Sequence, residues 1–350
     1  MDNILDYSLK DLEQWFSRSG KRDFRARQVW QWLWAKQVRD FDSMSNVSRE
    51  LRNELSRDFS IDWPAVDLVQ TSSDGVVKFL LRLSDQEKIE TVLIPEKNHY
   101  TLCISTQVGC AMGCTFCSTG RMGFTRNLSP AEICGQILTA RDYLARTDNP
   151  LALRNIVVMG MGEPLLNLPN LLAGLEVMVH PLGLDFSPRR VTVSTVGLAK
   201  GLDELGRSEN CSLAVSLHAP TQELREKIMP KAARLHIFDL IDILNNYPLK
   251  SRQRLTFEYI LIKDVNDRPE HARQLVKLLS RYKGKKPKIN LIAYNPPRSQ
   301  LNPFGYKAPG PDRILAFEKI LWAKDMTVIL RKSKGADIDA ACGQLKAERA

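Results

Sequence analysis

The sequence has no long apolar run. None of its 350 residues lie in a stretch approaching the roughly 18 consecutive apolar residues of a membrane span. The opening MDNILDYSLKDLEQW has neither the basic nor the apolar region of a secretory signal. Cysteine is sparse, with seven in the chain, which excludes a secreted disulfide scaffold. We therefore expect a cytoplasmic protein without a membrane partner, in which clustered cysteines indicate metal binding or catalysis.

Basic residues are in excess over acidic ones. The chain has 50 Lys and Arg against 40 Asp and Glu, a formal net charge of +10, and 43% of its residues are hydrophobic. That apolar content is enough for one large domain plus a smaller one. A basic surface binds polyanions because neutralised phosphates release counterions. Charge alone leaves two alternatives open, a nucleic-acid partner and a solvated basic surface.

The periodicity of the sequence predicts four regions. Residues 1–75 form a small, basic helical accessory domain whose Trp side chains build its own core and whose Lys and Arg contact phosphates. Residues 76–98 contain two strand-like runs around a polar turn, a β-hairpin extension. Residues 99–335 form an α/β barrel, and residues 336–350 form a polar C-terminal tail.

The barrel prediction rests on strand and helix patterns that alternate along the chain. Such alternation is typical of parallel βαβ units, and active sites in barrels lie at the carboxyl ends of the strands. The pattern fits a partial or a complete barrel. The strand candidates are TLCIST, RNIVVMG, RRVTVST, CSLAVSL, RLTFEYIL, KINLIAY and MTVILR.

Three cysteines follow the first barrel strand, in QVGCAMGCTFCSTG. Cys110, Cys114 and Cys117 have the spacing C-x3-C-x2-C, and the glycines between them allow the thiols to converge. Thiolates favour zinc or an iron–sulfur cluster. A structural zinc needs a fourth ligand, such as Cys103 or a distant residue. The other alternative is a [4Fe-4S] cluster with one iron open to a small molecule.

With Phe116 before the last cysteine, this spacing resembles the signature of radical S-adenosylmethionine (SAM) enzymes. The resemblance implies a [4Fe-4S] cluster held by Cys110, Cys114 and Cys117. It also implies that the open iron binds the amino and carboxylate groups of SAM. One electron from the cluster then cleaves the sulfonium and yields a 5′-deoxyadenosyl radical.

Further polar residues end later strands, where a SAM pocket is expected. A Gly-rich turn in GMGEP lets backbone carbonyls approach the SAM amino group, and its glutamate can accept a hydrogen bond from that group. Each residue alone is typical of an ordinary strand end, but together they favour one shared pocket. The predicted SAM-binding residues are Gly162, Glu163, Ser194, Ser216, Leu217, His218 and Asn295.

The chain resembles the RlmN/Cfr family of radical SAM RNA methyltransferases. The matching stretches include IETVLIPE, TLCISTQVGCAMGCTFCSTG, VTVSTVG, SLHAP, NLIAYNP and GADIDAACGQL. The resemblance implies a partial (β/α)6 TIM-like barrel. It also implies methylation of C2 of an adenosine in 23S rRNA, and of an adenosine next to the anticodon in tRNA. GMGEP followed by LLN resembles the RlmN branch more than the Cfr branch.

The resemblance also implies roles for three further residues. One SAM methylates Cys342, and a second SAM supplies the radical that activates this methyl group. Glu90 removes the C2 proton from the resulting protein–RNA adduct. Cys103 then attacks the sulfur of Cys342, releasing the RNA and leaving a disulfide. The catalytic thiol is expected on a mobile tail, in a monomer reduced by a flavodoxin- or ferredoxin-type donor.

Two alternative functions stay open at this point. One is Cfr-like methylation of C8 of the same adenosine. The other is a non-catalytic iron–sulfur or zinc protein that binds RNA, which would give Cys342 and Glu90 no purpose. Cys134 and Cys211 lie among apolar neighbours and are predicted to pack in the core.

Overall fold

The computed structural model describes residues 1–147, 150–298 and 302–347. Its N-terminal part contains helices α1 (Leu9–Arg18), α2 (Phe24–Trp34) and α3 (Arg49–Asp58), closed by the parallel pair β1 (Asp2–Asn3) and β2 (Phe59–Ser60). The Ser48 side chain caps α3 by accepting from the Leu51 N–H. Trp30 and Trp34 are fully buried, so the predicted core role of these two side chains is confirmed.

Four antiparallel strands follow the helices. They are β3 (Ala65–Thr71), β4 (Val77–Arg82), β5 (Lys88–Pro95) and β6 (Tyr100–Ile104). The predicted hairpin is the pair β4–β5. The helical character predicted for residues 1–75 ends at Asp58, because the β-branched run in β3 pairs with β4 and adds a third strand. The division of the chain into four domains remains a prediction.

A small ribbon encloses the cysteine loop. Strands β7 (Gln107–Gly109) and β8 (Phe124–Asn127) pair antiparallel on either side of the short helix α4 (Ser118–Met122). Gly109 has φ +74°, and a Cβ there would lie 2.0 Å from the carbonyl oxygen of Gly123. Only glycine fits at position 109, where these two backbone segments approach each other.

The barrel is formed by β6 and six later strands, and each pair of neighbours within this set is parallel. All seven predicted strands are present. The predicted six-stranded partial barrel therefore has one additional strand, because the run after the last helix pairs with β13 as an edge strand. The later strands are β9 (Leu153–Val158), β10 (Val191–Thr195), β11 (Ser212–Ser216), β12 (Thr256–Leu261), β13 (Lys288–Ala293) and β14 (Thr327–Arg331).

Helices cover the outside of this sheet. In α5, Ser129 and Glu132 form a capping box with Pro130 at the first turn, which fixes the start of this helix. Within the described ranges, no helix has the length and apolar content to cross a membrane. The helices are α5 (Pro130–Ala145), α6 (Leu168–Val179), α7 (Ala199–Ser208), α8 (Gln222–Ile228), α9 (Ile237–Asn245), α10 (Pro269–Leu279) and α11 (Pro311–Trp322).

Candidate active site

The cysteine loop lies at the carboxyl end of the sheet. Cys110, Cys114 and Cys117 line one cavity of about 160 Å³, here called the small cavity. The Cys110 N–H donates to the Gly123 carbonyl over 2.7 Å, which fixes the start of the loop. Burial raises the pKa of the Cys110 thiol to about 12 and that of Cys114 well above its usual value. A cationic group is therefore needed to hold these sulfurs as thiolates.

The three thiols form an all-sulfur donor set in the lining of one cavity. Such a donor set suits iron–sulfur chemistry. The residues present therefore fit a [4Fe-4S] cluster with three protein ligands.

The GMGEP turn borders the small cavity through Gly160, Gly162 and Glu163. Gly162 has φ +106°, and a Cβ there would lie within 2.8 Å of the Gln107 backbone nitrogen, so the turn requires glycine. The carboxylate of Glu163 is buried and accepts from Leu165 N–H (3.1 Å), Val196 N–H (3.0 Å) and the Thr195 hydroxyl. These bonds tie the turn to the end of β10.

Burial raises the pKa of the Glu163 carboxyl, while its three donors lower it. Because the donors are neutral groups of the protein, the carboxylate organises the wall of the cavity. Its predicted contact with the SAM amino group stays a prediction.

The predicted strand-end residues separate into two groups. Ser194, Ser216 and His218 line the small cavity, with 3.3 Å between the two serine hydroxyls. Leu217 is fully buried and does not line the cavity; its N–H donates to the Glu258 carbonyl over 3.1 Å.

His218 is neutral in the folded protein. Its Nδ1 accepts from the Ile260 N–H over 3.1 Å, so the ring proton of the neutral form is on Nε2. Burial, followed by the charge of Arg225, lowers the pKa of His218 to about 3. The ring lies edge-on to Phe116, with the centroids 5.0 Å apart. His218 therefore presents a neutral imidazole beside the cysteine loop.

A second cavity of about 730 Å³, here called the large cavity, has Cys103 and Cys342 in its lining. Cys342 also lines the small cavity, so its exposed surface faces both. Loss of hydration is the main cause that raises the pKa of each thiol: Cys103 is buried, and the surface of Cys342 lies in the walls of the cavities. Five cationic side chains line the large cavity, and they are Arg189, Arg190, Arg331, Lys332 and Lys334.

The tail that carries Cys342 is docked on the cysteine loop. The Ser118 N–H donates to the Gly343 carbonyl over 2.7 Å, and the Thr119 hydroxyl donates to the Leu345 carbonyl over 2.6 Å. Asn295 donates from Nδ2 to the Cys342 carbonyl over 3.3 Å, and it does not line either cavity. The tail was expected to be mobile, but this docked position already borders both cavities.

Glu90 lies on β5, beneath the tail and outside the lining of both cavities. Its Oε1 lies 2.9 Å from Lys78 Nζ, and its Oε2 accepts from the Lys346 N–H over 2.7 Å. Burial raises the pKa of Glu90, and the charge of Lys78 is the largest influence in the opposite direction. The structure therefore places this carboxylate in contact with the tail at Lys346, four residues after Cys342.

Known proteins resemble the chain over its whole length. A profile described as the ribosomal RNA large subunit methyltransferase N-terminal domain matches residues 2–61, and the radical SAM superfamily matches residues 104–276. The dual-specificity RNA methyltransferase RlmN of Solidesulfovibrio magneticus is 56% identical over 348 residues, covering 99% of this chain and 97% of that protein. The RlmN of Lawsonia intracellularis is 49% identical, covering 99% and 97%. The chain belongs to the RlmN family.

A solved structure agrees with this membership. The crystal structure of a radical SAM methyltransferase from Sphaerobacter thermophilus matches with a TM-score of 0.88 at 38% identity, covering 99% of this chain and 100% of that chain. The resemblance and the radical SAM barrel predicted from the sequence are thereby confirmed. Membership in the RlmN family implies a [4Fe-4S] cluster and SAM as cofactors.

Two residues of this RlmN-family site escaped the sequence prediction. Glu258 on β12 is buried, lines both cavities and accepts from Asn290 Nδ2 over 2.7 Å. Its charge raises the pKa of Cys342, second only to burial. The acidic residue inside the apolar run TFEYIL was the available signal.

Arg225 on α8 is the other missed residue. It is fully buried, and its guanidinium donates to the carbonyls of Val196 (2.7 Å) and Leu217 (3.1 Å). It thereby joins the ends of β10 and β11, which form one wall of the small cavity. An arginine in an amphipathic helix gives no sign of this role.

Proposed function

We propose that this chain is a radical SAM methyltransferase that methylates C2 of an adenosine in 23S rRNA and of an adenosine next to the anticodon in tRNA. Full-length relatives named dual-specificity RNA methyltransferase support this proposal. The observation that carries it is the position of Cys342. This thiol lines the cysteine-loop cavity and also the cationic cavity that contains Cys103.

The small cavity is the proposed cofactor site. Cys110, Cys114 and Cys117 hold the cluster, and Ser194, Ser216 and His218 offer polar groups to SAM. Gly162 and Glu163, which also line this cavity, are proposed to bind SAM. Leu217 and Asn295 are proposed to bind SAM as well, although they lie outside the lining. When bound, the cluster and two molecules of SAM supply a methyl group and a carbon radical.

The large cavity is the proposed RNA site. The lining of this cavity offers a nucleotide the cationic side chains of Arg189, Arg331 and Lys332. It also includes the thiols of Cys103, Cys117 and Cys342. Arginine and lysine at such positions neutralise phosphates and orient the RNA strand without recognising its base sequence. An enzyme that acts on a base must unstack the nucleotide, and a cavity of about 730 Å³ accommodates it.

The two thiols have complementary roles in this proposal. Cys342 carries the one-carbon unit to adenine C2 and becomes linked to the RNA. Glu90 accepts the C2 proton, and the unpaired electron that radical addition leaves on the ring would return to the cluster when it is bound. The Cys103 thiolate then attacks Sγ of Cys342, and the bond between that sulfur and the methylene carbon breaks with its electron pair moving to the adenine. A disulfide forms and must be reduced before the next turnover.

Burial raises the pKa of both thiols, so neither is a thiolate in the resting site. Deprotonation must therefore accompany each nucleophilic step. We further propose that the enzyme is a cytoplasmic monomer and that a flavodoxin- or ferredoxin-type protein supplies its electrons. RNA lies in that compartment, and one chain contains every residue of the site.

Nucleoside analysis tests the proposed function. Chromatography and mass spectrometry of rRNA and tRNA from a deletion strain should show loss of 2-methyladenosine from both, restored by the wild-type gene. Loss from rRNA alone would remove tRNA from the proposal. Loss of 8-methyladenosine instead, or of no methylated adenosine, would contradict the C2 assignment.

A further inference from the structure

We propose that Lys78 is a positioning residue that keeps Glu90 ionised, so that this carboxylate can accept the C2 proton. The inference rests on the proposed function, because it assigns a partner to the proton-accepting group of that reaction. It stands on the geometry of strands β4 and β5 and of the docked tail.

The two side chains meet across the hairpin. Lys78 is paired with Val92 in the register of β4 and β5, and Glu90 lies two residues before Val92. Such diagonal neighbours share one face of the sheet, within reach of long side chains. Lys78 Nζ lies 2.9 Å from Glu90 Oε1, with side-chain exposures of 8% and 5%. The hairpin thus places a cation against the carboxylate away from bulk water.

Burial favours the neutral form of a carboxyl group, and a nearby cation opposes this effect. Burial is the main influence that raises the pKa of Glu90, and the charge of Asp339 adds to it. Lys78 opposes both through its charge and its hydrogen bond, and the Lys346 N–H opposes them more weakly. Removing Lys78 therefore leaves a carboxyl group that holds its proton at neutral pH.

The state of this proton decides whether Glu90 acts as a base. In the proposed step the C2–H bond breaks, its electron pair stays with the adenine ring, and the proton moves to a Glu90 oxygen. A carboxyl group that already holds a proton cannot accept another. The ammonium of Lys78 also orients the carboxylate by holding Oε1.

A purely structural role is the competing explanation. Lys78 Nζ also lies 3.5 Å from the Asp339 carbonyl, so the ion pair connects the sheet to the tail. If that were its only task, Lys78→Met would loosen the tail without changing the ionisation of Glu90. The two explanations therefore differ in the protonation state of one carboxyl group.

Infrared difference spectroscopy on the full-length protein measures that state directly. At neutral pH, Lys78→Met should show the C=O band of a protonated carboxyl group. The band should be absent from the wild type and from the Lys78→Met/Glu90→Gln double variant. Lys78→Arg retains the cation and should also lack the band. Absence of the band from a folded Lys78→Met protein would overturn the inference. If Lys78→Met does not fold, the same measurement is made on Lys78→Gln.

Single-turnover kinetics provides the second readout. Lys78→Met should release methylated RNA from the adduct about tenfold to a thousandfold more slowly at neutral pH, because an opposite charge shifts a carboxyl pKa by about one to three units. The rate should recover as the pH rises and Glu90 ionises. RNA deuterated at C2 should show a larger isotope effect with Lys78→Met than with the wild type.

A matched control distinguishes the effect of removing Lys78 from the effect of removing another lysine of the same hairpin. Lys88 lies on the same hairpin and pairs with Asp67 over 2.8 Å at a more exposed position. Lys88→Met should leave the band and the pH profile unchanged. A pH profile of Lys78→Met identical to that of the wild type would overturn the inference. A wild-type protein that makes no methyladenosine would overturn the proposed function instead, and the infrared band would still decide the Lys78–Glu90 relation.

Discussion

The two cavities that meet at Cys342 differ in size and in charge. The small cavity has about 160 Å³ and is lined by thiols, serines, a neutral His218 and the internally bonded Glu163. The large cavity has about 730 Å³ and is lined by five cationic side chains. A polyanion suits the large cavity only, whereas a small cofactor suits the other. Cys117 and Cys342 border both cavities, and Cys342 is the one of these two thiols that lies outside the cysteine loop. A one-carbon unit on Cys342 can therefore pass between the cavities without a large movement of the tail.

Cys342→Ala should break this connection and have the largest effect. Methylation of RNA should fall below detection, because the carbon carrier between the cavities is lost. Reductive cleavage of SAM should continue, since the small cavity keeps its three cysteines. Product analysis and the yield of 5′-deoxyadenosine measure the two activities.

Cys211→Ala is the control for Cys342→Ala, because this thiol is 5% exposed and packs in the core, as predicted, away from both cavities. It should retain methylation. RNA methylation by Cys342→Ala would show that the thiol does not carry the methyl group.

Cys103→Ala should leave the small cavity intact and stop the reaction in the large one. The RNA should remain covalently attached to Cys342, because the resolving thiol is missing. A shifted band on a denaturing gel detects the adduct. The Cys103→Ala/Cys342→Ala double variant should show no such band. Release of methylated RNA over several turnovers by Cys103→Ala would show that Cys103 is not needed to resolve the adduct on Cys342.

Arg331→Glu should affect the large cavity alone. Replacing a cation at its wall with an anion should weaken RNA binding about tenfold or more. The slope of the logarithm of the binding constant against the logarithm of the salt concentration should decrease in magnitude by about 0.7 to 0.9, because one phosphate contact is lost. Binding measured at several salt concentrations tests this, together with SAM binding, which should not change.

Arg207→Glu serves as the control for Arg331→Glu, because Arg207 is an exposed residue of α7 that lines neither cavity. Equal losses of RNA affinity in the two variants would argue that the charge of the large cavity has no special role.

For His218 we predict an effect on the pH dependence of stability, the smallest effect in this series. Its folded-state pKa of about 3 lies below its value near 6.5 in the unfolded chain, so only the unfolded chain gains a proton between these values. Stability should therefore fall as the pH falls, by about 2 kcal/mol at about pH 5 from this group. Denaturant unfolding at neutral and acidic pH should show a weaker dependence for His218→Asn. An unchanged pH dependence would contradict the neutral imidazole.

The sequence predicted the elements that local patterns determine. Runs rich in β-branched residues predicted all seven parallel strands. The three cysteines of the loop could be found because spacing and glycines are local features. In contrast, β3 was missed, since its exposed edge position depends on pairing with β4.

Contacts between distant segments could not be predicted in the same way. The guanidinium of Arg225 reaches carbonyls on two strands, and Asn295 donates to the tail instead of lining the cofactor cavity. Glu90 was singled out from a resemblance, but its burial against Lys78 is a tertiary property. Each of these contacts depends on how the sheet brings separate loops together, which a linear pattern does not contain.

The route of the carbon atom through Cys342 is tested most directly by an isotope experiment. The wild-type enzyme is given SAM with a fully deuterated methyl group, and the methyladenosine product is analysed by mass spectrometry. Because the methyl group on Cys342 loses one hydrogen to the radical and later regains one from an exchangeable source, the product should be 2-methyladenosine with a CD2H group. A CD3 group in the product would mean direct transfer from SAM and would contradict the account.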